Sequence, residues 1–317
     1  PVPADVVPGP AGTGEAGAGG AAASSAPADH ARPEQIESLS YTTLSELERC
    51  GYRFYLERIL GLEESHPPDR AGSSREGLDA RARGTLVHRL LESVDFARPL
   101  APSVEDVAAA ARELGMRVGR GEREEVAELI GAAAGSAAST PRAAAPGPAA
   151  RVAMAEHVRR EHPFAFSLGP REPLVTGVID LLAREADGGA LVLDYKTDRV
   201  DADEDLAALV EREYGVQRLL YALAVLRDGA PKVEVVHWFL QRQPGWVGAS
   251  HAASERGELE ERLAARVRRA RERGFSVSDQ PHRGLCETCP GRAGLCSWSD
   301  AETLRETPAR RGVTERL

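Results

Sequence analysis

The sequence predicts an α/β fold, a mixed β-sheet flanked by helices, and three stretches carry that expectation. Residues 176–198 (TGVIDLLAREADGGALVLDYKTD) hold two apolar runs separated by a charged segment ending in Asp187, Gly188 and Gly189, the pattern of a β-hairpin. RREHPFAFSL at 159–168 alternates Phe164, Phe166 and Leu168 and reads as a strand just before it, so three consecutive strands are expected to run antiparallel. VEVVHWFL at 233–240 is a further β-rich run, reached only through a helical stretch at about 206–226. A helical crossover between strands implies a mixed sheet with helices on its faces.

In chain order, residues 1–38 are rich in Ala, Gly, Pro and Ser and are expected to form a flexible linker. The folded domain is expected over 39–300, with a polar C-terminal tail at 301–317. Structure begins near Ser40, where Leu44, Leu47, Cys50, Phe54 and Ile59 fall close to helical spacing and Ser40 or Thr42 can act as N-cap. Gly51 interrupts that pattern, so two helices meeting near Cys50 are an alternative to one. His66, Pro67 and Pro68 mark a loop.

A helix follows over 83–95, with Leu86, Leu90, Leu91 and Val94 as its apolar stripe and His88 beside it, in reach of a core or of a site. One or two further helices are expected over 103–133. A loop or broken helix at 134–149 carries Pro141, Pro146 and Pro148, and a short helix is expected over 150–158. Glu161 lies at the start of the first strand. In the crossover helix, Gln217 and Tyr221 are spaced i, i+4 and share a face. The helix at 254–273 has acids in its first turn and arginines in its last, as the helix dipole favours. Its Arg262, Arg266, Arg269 and Arg273 either track a phosphate backbone or form a solvated face.

Composition narrows the classes of function. The formal charge of −9 argues against indiscriminate nucleic-acid binding, though local basic patches remain compatible with it. No apolar run approaches the roughly 20 residues that span a bilayer, and no signal-peptide pattern opens the chain, so a soluble, cytoplasmic protein is expected. The first residue is Pro rather than Met, as expected of a segment cut from a longer polypeptide. Of the 40 basic side chains only Lys196 and Lys232 are lysines. A lysine kept at 196 in so arginine-rich a chain fits a position that wants a compact ammonium rather than a planar fork.

That lysine belongs to the hairpin. Asp180 and Asp194 interrupt runs that are otherwise apolar, and Lys196 shares a strand face with Asp194. A surface hairpin with exposed charges is the plain alternative, but lone charges rarely sit inside runs this apolar. A carboxylate beside an ammonium, opposite a second carboxylate, suits metal-assisted phosphodiester chemistry. The cysteines form a second constellation: Cys50, then Cys286, Cys289 and Cys296. A tight cluster of three plus one distant thiol points to a metal rather than to disulfides, holding either Zn²⁺ or an iron–sulfur cluster. Pro290 directly after Cys289 favours iron–sulfur ligation. Either would tie Cys50 to the far end of the chain.

Together these residues resemble the RecB-family nuclease domain of the PD-(D/E)XK superfamily, as found at the C-termini of AddAB- and AdnAB-type helicase–nucleases and of UvrD-like helicases. The resemblance covers residues 40–300 and rests on GTLVH at 84–88, REHPF at 160–164, GVIDLL at 177–182, LDYKTD at 193–198 and QRLLY at 217–221. It implies a restriction-endonuclease-like core. It implies that His88, Asp180, Asp194 and the Tyr195 carbonyl ligate Mg²⁺ or Mn²⁺, with Glu161 as an additional upstream acid. It implies that Lys196 orients the attacking water or stabilises developing phosphorane charge, and that Gln217 and Tyr221 brace the site and touch DNA; from the arginine pattern of the helix at 254–273, Arg262 and Arg266 are expected as further DNA contacts. The four cysteines resemble the [4Fe–4S] staple of some members. GVID contains no literal Pro-Asp, a departure that RecB-type members share.

The function implied is a metal-dependent DNA nuclease, exonucleolytic on single strands, acting at the bacterial nucleoid in double-strand-break repair and recombination. Its partners would be unwound DNA ends and a helicase motor. No GxxxxGK[ST] occurs here, so that motor is expected elsewhere in the polypeptide or in a separate partner protein. The alternatives are a stand-alone iron–sulfur exonuclease of the CRISPR-adaptation type and a catalytically inactive nuclease fold serving as a DNA-binding module. The intact Asp180, Asp194 and Lys196 speak against the latter.

Overall fold

The computed structural model of the chain describes residues 36–65, 77–136, 146–292 and 294–306. Of the expected linker, residues 1–35 lie outside these, and Ser38 is already part of the sheet, in strand β1 (Ser38–Leu39). Helix α1 (Tyr41–Arg49) starts on a capping box in which Ser40 Oγ accepts from the Thr43 N–H and Thr43 Oγ1 accepts from the Ser40 N–H. Cys50 is the break beside Gly51: it ends α1 in an extended conformation and opens α2 (Gly51–Phe54), which continues as a π-helical turn over Tyr55–Ile59. The loop expected at 66–68 lies outside the described residues.

Helix α3 (Ala80–Leu91) begins earlier than the apolar stripe alone indicates, because the Asp79 carboxylate caps the Ala82 N–H, and it stops before Val94. Helices α4 (Val104–Glu113) and α5 (Arg120–Gly135) follow, and α6 (Pro148–Ala153) opens on a proline, whose missing N–H is harmless in a first turn. The helix expected at 150–158 therefore lies earlier, since strand β2 (His157–Ser167) already starts at His157. Glu161 falls within that strand, not at its start. Residues 137–145 of the expected proline-rich loop are outside the described set.

The hairpin forms as expected from β3 (Leu174–Arg184) and β4 (Ala190–Lys196), with Gly188 at φ 78° in its turn, where a side chain would be strained. The crossover helix α7 (Leu206–Arg227) is capped by Asp205 and delivers the chain to β5 (Lys232–Phe239). Strand β6 (Trp246–Ala252) was not legible in the sequence: WVGASHA is half-exposed, glycine-interrupted and carries little β signal. Helices α8 (Arg256–Arg273), α9 (Arg283–Cys286) and α10 (Asp300–Thr303) close the described fold. The expected C-terminal tail is anchored at its start, with Thr303 buried and Arg305 Nε donating to the Pro281 carbonyl.

The strand order is β1-β3-β4-β5-β6, with β2 along the other edge of β3. β4 and β5 are parallel, as α7 requires, and β2, β3 and β4 are antiparallel in sequence, so the sheet is mixed as expected. One core packs α1, α7 and α8 on Val175, Ile179, Val192, Val233 and Val235. The other packs α3–α6 on Leu181, Leu191, Leu193, Tyr195, Val236 and Trp238. Each fully buried Leu or Ile contributes roughly 1.5–3 kcal/mol, so the sheet is a rigid frame for the polar groups set into it.

The paired strands β2 and β3 break the alternation that strand geometry dictates. On β3, Val175 and Ile179 face the α7 core, yet Leu181 and Ala183, also at odd positions, face the α3 core. On β2, Val158 packs against the α3 core while Phe164 and Phe166 join the α7 core. The register stays constant, with Arg160 opposite Leu181 and His162 opposite Ile179. Both strands thus invert at one place, the facing residues Glu161 and Asp180. Glu161 carries φ 45°, a positive value rare for a residue with a side chain. The inversion sets the two acids at the seam between the cores, where neither core buries them outright.

Candidate active site

The β3–β4 ladder ends at Leu181 and Leu193, and beyond it the hairpin splays. There the Tyr195 N–H donates to Asp180 Oδ2 at 2.9 Å, in place of a strand partner. From α3, His88 Nε2 lies 3.1 Å from the Tyr195 carbonyl oxygen, which can only accept, so Nε2 carries the proton in this pair. His88 Nδ1 is 3.5 Å from Asp180 Oδ2. Ligand atoms of His88, Glu161 and Asp180 all fall within 4.8 Å of one another, the one such trio of His, Cys and carboxylate groups among the described residues. Glu161 joins it through its positive φ, a strain of about 1–3 kcal/mol of the kind that persists at functional sites.

The electrostatics fit a divalent cation. Burial, then the Asp194 charge, raises the Asp180 pKa, and His88 offsets only part of this. Burial and the Asp180 carboxylate likewise raise Glu161. For His88, burial opposes protonation, but the Asp180 carboxylate and the Asp194 charge outweigh it and the imidazole is more basic than usual. Carboxylates that crowd and desolvate one another are relieved by a shared cation. The donors suit Mg²⁺ or Mn²⁺: carboxylate, carbonyl and imidazole.

Asp194 lies outside that trio. It is 2% exposed and carries both its oxygens into another network. Lys196 Nζ is 2.6 Å from Asp194 Oδ2 and donates to Gln217 Oε1 at 3.0 Å. Gln217 Nε2 donates to Asp194 Oδ1 at 2.8 Å and to the Tyr221 oxygen at 3.0 Å. The Tyr221 hydroxyl donates in turn to the Val178 carbonyl at 2.9 Å, on the edge of β3 between its pairings with β1 and β4. Expected as a metal ligand, Asp194 is here the partner of the lysine through Oδ2. Burial would lower the Lys196 pKa, but Asp194 more than compensates and keeps it an ammonium. In GVIDLL, Gly177 is needed because a Cβ there would meet the Phe164 ring at 2.5 Å.

Tyr214 and His237 are neighbours of this network that the sequence pattern did not single out. The Tyr214 ring lies under Lys196 Nζ at 4.2 Å. His237 is fully buried and paired in register with Asp194, and burial lowers its pKa to about 4, leaving it neutral. Tyr214, Gln217 and Tyr221 are spaced i, i+3, i+7, one helical stripe, and that was the available signal for Tyr214. For His237 there was none.

The arginines of α8 divide. Arg266 makes a bidentate pair with Glu48 at 2.7 and 2.8 Å, which joins α8 to α1. Arg273 donates to the Glu48 carbonyl, while Arg262 and Arg269 are exposed. The four cysteines are free thiols that line one cavity with Tyr52, Arg53 and Trp298. Burial, with the nearby thiols, raises Cys286, and burial raises Cys289 to about 11. Around them Arg53 donates to the Leu285 carbonyl and to Thr288, and the Tyr52 hydroxyl to the Leu295 carbonyl. No helix among the described residues is long and apolar enough to cross a membrane.

Residues 38–296 match the PD-(D/E)XK nuclease superfamily. The chain is 31% identical over 218 residues to an ATP-dependent helicase/nuclease subunit of Desulfitobacterium hafniense, a match covering 62% of this chain and 15% of that protein. With the like-named protein from Moorella thermoacetica it shares 37% identity over 180 residues, 52% of this chain and 12% of that protein. This chain therefore spans only a small part of the length of these relatives. Among solved structures, a putative exonuclease from Eubacterium rectale aligns over 84% of this chain and 92% of its own, with a TM-score of 0.47 and 11% identity.

Proposed function

Because the chain belongs to the PD-(D/E)XK nuclease superfamily, we propose that it is a Mg²⁺- or Mn²⁺-dependent deoxyribonuclease that trims single strands as the nuclease domain of a helicase–nuclease. The observation that carries this is the convergence of His88, Glu161 and Asp180 on the Tyr195 carbonyl, beside a buried Asp194–Lys196 pair. An ion held by those four groups supplies, when bound, positive charge against the scissile phosphate and acidifies water. Lys196 presents a fixed ammonium to the same place, where it orients water and offsets charge that grows on the phosphoryl oxygens. Asp194 and Gln217 keep that ammonium charged and aimed, and Tyr221 anchors Gln217 to the β3 backbone. The Tyr195 N–H fixes the rotamer of Asp180, so the carboxylate is oriented before substrate arrives.

The context is proposed on a second footing. The relatives are named helicase/nuclease subunits, and this chain aligns with a short part of each. A motor in the same polypeptide or in a separate partner protein would feed the strand, in recombinational repair at the bacterial nucleoid. For the cysteines we propose a [4Fe–4S] cluster. Cys50, Cys286, Cys289 and Cys296 line one cavity, and four thiolates are the ligand set such a cluster takes.

The test is cleavage of end-labelled single-stranded DNA with Mg²⁺ or Mn²⁺. Wild type is expected to degrade it. Asp180→Ala and Lys196→Ala are expected to lose at least about a hundredfold in rate while keeping the wild-type circular dichroism. Full activity in both variants would remove the catalytic assignment.

A further inference from the structure

On the nuclease reading above, we propose that Tyr214 is the positioning residue for Lys196, its ring face holding the ammonium between Asp194 and Gln217. An ammonium has three hydrogens to satisfy. The Asp194 carboxylate pairs with its charge through Oδ2 at 2.6 Å, and the Gln217 amide oxygen accepts one hydrogen at 3.0 Å. The Tyr214 ring centroid, 4.2 Å from Nζ, is the third partner, well inside the range for attraction to an aromatic face. With the Lys196 side chain only 13% exposed, that attraction is strong enough to matter. It is also less directional than a hydrogen bond and easier to exchange for a substrate oxygen, which suits a lysine that must be aimed and then used.

The ring is itself held at three places. Its hydroxyl donates to Asp198 Oδ2 at 3.0 Å, at the end of the LDYKTD stretch. The His237 ring lies 5.5 Å away, tilted by 31°, and Phe239 meets its edge at 6.2 Å. His237 has no exposed surface, and neither ring nitrogen has a hydrogen-bond partner among the described residues. A fully buried imidazole with no polar bond contributes by packing, and the face it packs against is Tyr214. Support for the lysine thus comes from α7 and from β5, beside the strand that carries it.

The test uses the fact that Lys196 and Lys232 are the only lysines in the sequence. With ¹³Cε-labelled lysine, NMR of the whole chain should give two methylene signals, and that of Lys196 should be displaced upfield by the ring current. Tyr214→Leu should abolish the displacement, and Tyr214→Phe should retain it. In steady-state cleavage of a single-stranded oligonucleotide with saturating Mn²⁺, Tyr214→Leu should lose about tenfold or more in kcat with KM changed less than about threefold. Tyr214→Phe should recover most of that loss, since the ring remains and only the Asp198 bond is gone. Should the leucine variant not fold, Tyr214→Met carries the same comparison. An undisplaced Lys196 signal overturns the assignment, as does a leucine variant with wild-type kcat or a phenylalanine variant as impaired as the leucine one. A wild-type chain that fails to cleave at saturating Mn²⁺, yet shows the ring-current signature, overturns the nuclease reading and leaves the contact standing.

Discussion

Asp180, Glu161 and His88 each bind a proton more tightly in the folded chain than their ordinary values allow, Asp180 and Glu161 through burial and like charge, His88 through its carboxylate partners. A group with a raised folded pKa contributes stability that is complete below its unfolded value, about 4 for the carboxyls and about 6.5 for the imidazole, and that is lost as pH rises through the folded value. A divalent ion needs the same groups deprotonated, so it acts in the opposite sense. Added Mn²⁺ is therefore expected to raise the Tm more at about pH 8 than at about pH 5.5, read by thermal melting; equal rises would separate the ion from these residues. Legibility at this scale was uneven. Asp180, Asp194 and Lys196 stood out because charges rarely interrupt apolar runs, and Gln217 and Tyr221 because of helical spacing. The positive φ of Glu161 and the pairing of Arg266 with Glu48 depend on partners far along the chain, which no local pattern records.

Among the elements, the hairpin and α7 were plain in the sequence because each is long, strongly apolar and bounded by turn or cap residues. β6 was not, since an exposed edge strand needs little apolar content. The inversion of β2 and β3 was hidden for another reason. Each half of each strand alternates correctly, and only the assignment of the halves to opposite cores reveals the switch at Glu161 and Asp180. The close fit of Gly177 against Phe164 lies three residues along both strands from that switch. Gly177→Ala should force the Phe164 ring aside, lowering stability by about 1–3 kcal/mol in denaturant unfolding, and an unchanged midpoint would mean the strands relax freely there.

Across the whole molecule, α2 and the residues after α8 hold one another through Arg53, Tyr52 and the four-cysteine cavity, so that distant stretches of chain frame a single sheet. Cysteine spacing made this clamp legible, whereas its hydrogen bonds were not. Cys50→Ala is expected to lower the Tm by several degrees and to bleach any broad visible absorption of the purified protein. A colourless protein with an unchanged melt would take Cys50 out of the clamp. On the proposed function, the seam between the two cores is a divalent-metal site that cuts DNA. The most direct measurement is anomalous diffraction from crystals soaked in Mn²⁺. A peak is expected about 2.0–2.3 Å from carboxylate oxygens of Asp180 or Glu161, accompanied by the Tyr195 carbonyl and His88, and absent from an Asp180→Ala crystal that has lost cleavage. A Mn²⁺ peak elsewhere, or none at this seam in a crystal form that still cleaves DNA, would contradict the account.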